Sequence, residues 1–139
     1  MNIPVIDACV AIKWFLPEQG YEKASGIIQS YPEFLAPELF LIEIDAVITK
    51  KVRKREIELS EAYILYDEVR KLPFKLIRYD QTAKLSFELS ATLPITTYNA
   101  TYLSVALQFN EEVYTADRRF YRGVSTTPFR DYVKSIDDF

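Results

Sequence analysis

Short apolar runs alternate along the chain with longer stretches whose apolar positions recur every three or four residues, the pattern of βα units around a mainly parallel sheet. Ile3 to Ile6 reads as a first strand with Asp7 at its C-terminal end, followed by a short helix through Phe15 that Pro17 stops. Glu18 to Tyr31 reads as a second helix. Phe34 to Ala36 is a brief strand, and Pro37 suits the first turn of the next helix, to about Arg53, because proline has no N–H to lose there. Leu59, Ala62, Tyr63, Tyr66 and Val69 share one face and predict an amphipathic helix from Leu59 to Lys71 with Ser60 as its cap. Phe74 to Arg78 reads as a third strand, with Asp80 capping a helix to about Ser90. Beyond Pro94, Thr97 to Phe109 is helical, Val113 to Thr115 is a fourth strand ending beside Asp117, and a short fifth strand is expected near Val124. The expected fold class is α/β with a mainly parallel sheet of four to five strands.

In such sheets ligands bind beyond the C-terminal ends of the strands, near the point where strand order reverses. Asp7 and Asp117 fall at such ends, and right-handed crossovers bring the first turns of the following helices to the same edge. Glu43 and Asn99 can therefore lean over the same mouth. Glu43 sits inside Leu39 to Ile48, a stretch that otherwise reads as buried helix. A lone buried carboxylate costs several kcal/mol and needs a partner, a proton or a metal. Asp45, two residues on, points to a different helix face, so one of the two acids faces the pocket, and Glu43 is favoured. The plainer readings are a half-exposed acid at Glu43 and helix caps at Asp7 and Asp117. Together the three acids form what a metal cluster needs, since carboxylates about 4 Å apart repel by about 4 kcal/mol at an effective dielectric near 20. Oxygen donors without imidazole or thiolate select Mg²⁺ or Mn²⁺. Thr115 can add a hydroxyl that orients a ligand or water.

Composition narrows the chemistry further. At 139 residues, 49% of them hydrophobic, the chain suits one domain, residues 1–139, with one core. No apolar run approaches the length of a membrane helix and the start lacks a basic leader, so a cytoplasmic protein with no membrane partner is expected. The absence of histidine and the single cysteine, Cys9, leave no usual zinc site, no histidine-based nucleophile pair and no internal disulfide; Cys9 reads as a packed small hydrophobe. Three glycines rule out Gly-rich phosphate loops. A net charge of −3 argues against indiscriminate nucleic-acid coating but leaves room for a local basic rim. Lys13, Arg118 and Arg119 lie near the mouth in sequence terms and can hold phosphates or stay solvated. Lys50 to Arg55 reads as a solvated helix end rather than an RNA contact.

The segments Val5-Ile6-Asp7-Ala8-Cys9-Val10-Ala11-Ile12-Lys13-Trp14-Phe15, Pro37 to Glu43, Thr97 to Ala106 and Tyr114-Thr115-Ala116-Asp117-Arg118-Arg119-Phe120 resemble, in order and spacing, the four motifs of PIN domains, especially the VapC-type toxin ribonucleases of toxin–antitoxin pairs. The resemblance implies a three-layer α/β/α sandwich, an endoribonuclease dependent on Mg²⁺ or Mn²⁺, homodimerisation and inhibition by a VapB-type antitoxin. By position, Asp7, Glu43 and Asp117 match the family's acids and Thr115 its hydroxyl residue. Asn99 departs from it, standing where active members carry aspartate, so one negative charge is missing from the donor set Asp7, Glu43, Asn99 and Asp117.

The resulting expectation is hydrolysis of RNA phosphodiesters by water whose pKa a metal lowers. Its rival is a PIN-fold module that binds RNA or protein and has lost efficient chemistry at Asn99. A phosphoacceptor domain is a third reading, but it wants a further acid beside the first and a late lysine, and neither is evident. Trp14, Phe15, Tyr63, Tyr66 and Tyr102 suit core or subunit contacts better than base stacking. The apolar face of the Leu59 to Lys71 helix suits a homodimer seam or an antitoxin helix laid in a groove.

Overall fold

The computed structural model describes residues 2–139. Five short strands, β1 (Val5–Ile6), β2 (Phe34–Pro37), β3 (Phe74–Ile77), β4 (Val113–Thr115) and β5 (Val133–Ser135), form one sheet in the order β3-β2-β1-β4-β5. Every neighbouring pair is parallel, with Val5 opposite Leu35 on one side and Val113 on the other. Central strands buried on both faces read as unbroken apolar runs, and β1, β2 and β4 are buried at every position.

Parallel strands require crossovers, which the helices supply: α1 (Ala8–Ala11), α2 (Tyr21–Ser30), α3 (Leu39–Arg53), α4 (Leu59–Arg70), α5 (Tyr79–Thr92), α6 (Thr97–Phe109) and α7 (Arg118–Ser125). The chain winds outward from β1 to β3, then returns past β1 to β4 and β5. Right-handed crossovers in opposite directions place α1 to α4 on one face and α5 to α7 on the other, giving three layers. Strand order reverses between β1 and β4, so those two strands open the crevice where a ligand belongs. Packing on the first face includes Phe40 stacked on Phe74 at 4.4 Å between ring centroids, beside Phe34 and Trp14.

Several local expectations shift. Val124 lies in α7, where Phe120 and Val124 are buried at i, i+4 spacing, and the fifth strand is instead Val133–Ser135, paired to β4. Pro37 ends β2 rather than opening α3, which starts at Leu39. The second helix starts at Tyr21, because Gly20 adopts a left-handed φ of +87° just before it. Helix α4 is capped one residue before it begins, by Glu58, whose backbone N–H donates to Glu61 Oε1 at 3.4 Å, and Ser60 falls inside the first turn. Asp80 likewise sits within α5 and pairs with Arg78 at 2.8 Å instead of capping. The short helix after β1 tightens into a 3₁₀ turn at Ile12–Trp14.

Candidate active site at the strand switch point

Asp7 follows β1 directly and is 5% exposed. Its side chain does not cap α1; Oδ2 accepts a hydrogen bond from Thr115 Oγ1 at 2.8 Å. Thr115 closes β4, is 1% exposed, and its Oγ1 also accepts from the Asp117 N–H at 3.0 Å. Cys9 Sγ accepts from the Ala116 N–H at 3.3 Å, so the half-buried thiol binds the exit of β4 to the start of α1 rather than acting as a hydrophobe alone. Burial pushes the Asp7 carboxyl above its ordinary range; hydrogen bonds from Thr115 and Cys9 oppose the rise, and the charge of Asp117 adds to it.

Glu43 reaches the same region from α3. Its Oε1 accepts from the Tyr102 hydroxyl at 2.6 Å, and Tyr102 is fully buried in α6. Partial burial pushes the Glu43 carboxyl up to about 6, the Tyr102 hydrogen bond opposes this, and the charge of Asp7 adds to it. Burial, with the Asp7 and Glu43 charges, raises the Tyr102 phenol well above its usual range, so it stays a donor. Asp45 turns away, as two residues of helix require, and binds Arg70 through two bonds of 3.1 and 2.6 Å.

Asn99 stands in the first turn of α6, which Thr96 caps by accepting the Asn99 N–H at 3.0 Å. Its Nδ2 donates to Asp117 Oδ2 at 3.3 Å. Asp117 is also a cap: Oδ1 accepts from the N–H groups of Arg119 and Phe120 at 2.9 and 3.3 Å. Capping and facing Asn99 are therefore compatible, because the two oxygens divide the work. Lys13, by contrast, donates to the Gln19 carbonyl at 2.6 Å, while sharing the wall of a cavity of about 290 Å³ with Ala116 and Arg118.

Five groups from four separate segments of the chain, Asp7, Glu43, Asn99, Thr115 and Asp117, are thus linked by hydrogen bonds or charge at the reversal point of the sheet. Among the described residues, no three acids form a ready-made metal cage. Each carboxylate is held by a protein donor. The donor set still fits a hard cation: it is all oxygen, the charge of Asp117 raises the Asp7 carboxyl and that of Asp7 raises Glu43, and an Asn99 amide turned through half a rotation offers its oxygen where Nδ2 now donates. Tyr102 escaped recognition as a site residue. Its signal was a phenol within an apolar helix, which needs a hydrogen-bond partner, matching Glu43, which needs a donor.

The family model described as PIN domain matches residues 5–124. No curated protein matches the sequence. Among solved structures, a toxin-antitoxin complex from Klebsiella pneumoniae is similar at a TM-score of 0.66 and 14% identity, with 97% of this chain and 98% of that one covered. VapC20 from Mycobacterium tuberculosis, described as a Sarcin-Ricin loop cleaving toxin, is similar at a TM-score of 0.66 and 14% identity over 84% of this chain and 92% of that one. VapBC2 from Rickettsia felis, bound to a DNA fragment from its promoter, is similar at a TM-score of 0.62 and 14% identity over 96% and 98%. At these identities the likeness is one of fold.

Proposed function

The chain belongs to the PIN-domain family, and on that premise we propose that it is an endoribonuclease dependent on Mg²⁺ or Mn²⁺, acting as the toxin of a toxin–antitoxin pair. The observation that carries the reading is the meeting of Asp7, Glu43, Asn99 and Asp117 at the reversal point of the sheet. Those four side chains would hold the cation. A divalent ion held there would supply an acidified water and would offset charge developing on the phosphate. The protein's own contribution is orientation: Thr115 fixes Asp7, Tyr102 fixes Glu43, and the backbone of α7 fixes Asp117. Among the described residues only Oε1 of Glu43 is bonded to protein, which leaves Oε2 to a cation.

Partners follow from the outer surfaces. Between α3 and α4 lies an apolar cavity of about 340 Å³ lined by Ile48, Val52, Leu59, Ala62, Tyr63 and Tyr66. Tyr63 is 64% exposed beside the exposed Leu59 and Tyr66, so the cavity opens onto a joined apolar face. This face suits an amphipathic antitoxin segment. Phe87, 70% exposed on α5, gives a homodimer its own apolar patch on the opposite layer. No helix among the described residues is long and apolar enough to cross a membrane.

Cleavage of a mixed RNA pool in Mn²⁺ tests the proposal. The protein cuts and Asp7→Asn does not; equal residual cleavage in both overturns the enzyme reading and favours a binding module, to which the missing charge at Asn99 already points.

A further inference from the structure

Helix α7 begins one residue after Asp117 and has two unlike faces: Phe120 and Val124 are buried, while Arg118, Arg119 and Arg122 are exposed. At i, i+3 and i, i+4 spacing the three guanidinium groups share one side of the helix. Among the described residues none of them makes an ion pair or a side-chain hydrogen bond, although Lys13, Lys51, Arg70, Lys71, Arg78, Arg130 and Lys134 all pair with acids. Stability does not account for the placement, since Arg118 and Arg119 occupy the first turn, where the helix dipole disfavours cations. The other unpaired basic cluster, Lys50, Arg53 and Lys54, sits at the C-terminal end of α3, where the dipole does favour it.

The position of α7 is fixed tightly. A Cβ at Gly123 would come within 2.7 Å of Ile95 Cγ2 and 2.8 Å of the Pro94 carbonyl, so the helix lies directly against the segment that leads into Thr96 and Asn99. Arg118 shares a cavity wall with Ala116, between Thr115 and Asp117. Helix α7 thus starts at the acid cluster, where Asp117 caps it, and carries the three arginines on from there with the opposite charge.

We infer that Arg118, Arg119 and Arg122 form the track that holds the phosphate backbone of a single-stranded RNA as it enters the acid cluster. The inference rests on the ribonuclease reading and assigns its substrate a path. These are positioning residues: they bind phosphates without reading bases, which suits a protein whose net charge of −3 gives it little general attraction for RNA.

The test is binding of a fluorescein-labelled single-stranded RNA in EDTA, which separates binding from cleavage, at several KCl concentrations. The variant R118Q/R119Q/R122Q is expected to bind at least tenfold more weakly at 0.1 M salt, with the slope of log affinity against log salt reduced by about 2. The control K50Q/R53Q/K54Q stays within twofold of the natural protein. With Mn²⁺ present, the arginine variant raises KM more than it lowers kcat. Unchanged affinity and slope, an equal loss in the lysine control, or no RNA binding by the natural protein overturns the track. Binding of polyglutamate through the same arginines as tightly as RNA also overturns it, in favour of an acidic protein partner. RNA binding that needs the arginines, without cleavage by the natural protein, sinks the nuclease reading and leaves the track standing.

Discussion

Helix α3 belongs to two regions at once, and its acids differ accordingly. On the side facing the strand ends, Glu43 is half-buried, bonded to the buried Tyr102 and close enough to Asp7 to feel its charge, and its carboxyl is raised to about 6. On the side facing α4, Asp45 is met by the Arg70 fork, which also lies over the Tyr66 ring at 3.5 Å. Asp45 is paired where it stands; among the described residues Glu43 lies near Asp7 and makes no ion pair. Carboxylates gathered at strand ends without ion pairs make a candidate site, whereas a compensated pair beside an apolar groove serves as a structural joint.

The largest expected effect separates the two acids directly. Glu43→Gln should lower cleavage of an RNA pool at least a hundredfold, while Asp45→Asn stays within about twofold, because only the former removes a donor from the mouth. Equal losses in both would place the chemistry elsewhere on α3. Next, Asn99→Asp should tighten Mn²⁺ binding by about tenfold in calorimetric titration, by restoring one charge at the site. No gain would put Asn99 outside the donor set.

A smaller effect concerns pH in metal-free buffer. The folded state holds the Glu43 proton more tightly than the ordinary value of 4.5, so the stability this contributes is complete below 4.5 and is lost as pH rises through about 6. Allowing for solvent screening of a half-buried group, the loss is about 1 kcal/mol, readable by urea unfolding in EDTA. Tyr102→Phe removes the donor that opposes the rise and should carry the window upward; an unmoved window would mean that the phenol does not restrain Glu43. The smallest effect belongs to the joint: Arg70→Ala should cost about 0.5–1 kcal/mol in the same unfolding measurement, with cleavage unchanged. A large cleavage defect there would dissolve the distinction between the two faces.

Much of this was legible in the residues. The alternation of apolar runs with helical periods carried the α/β class, and an acid stranded in the apolar stretch Leu39 to Ile48 singled out Glu43. Element ends were less legible. Val124 suited a strand as well as a helix until the Asp117 cap and the buried Phe120 bound it into α7. Pro37 was compatible with either a helix start or a strand end, and pairing with Ile77 drew it into the sheet. Caps at Ser60 and Asp80 were misplaced because several adjacent residues could serve, and the helix takes whichever the preceding backbone presents.

Local chemistry therefore determined which side chains require a partner: a buried carboxylate and a phenol among apolar residues carry their cost wherever they fold. The identity of each partner came from the packing of distant elements. Tyr102 meets Glu43 across 59 positions and Thr115 meets Asp7 across 108, because parallel crossovers gather strand ends and helix starts at one edge of the sheet. No periodicity along the chain encodes such distances; the order β3-β2-β1-β4-β5 does.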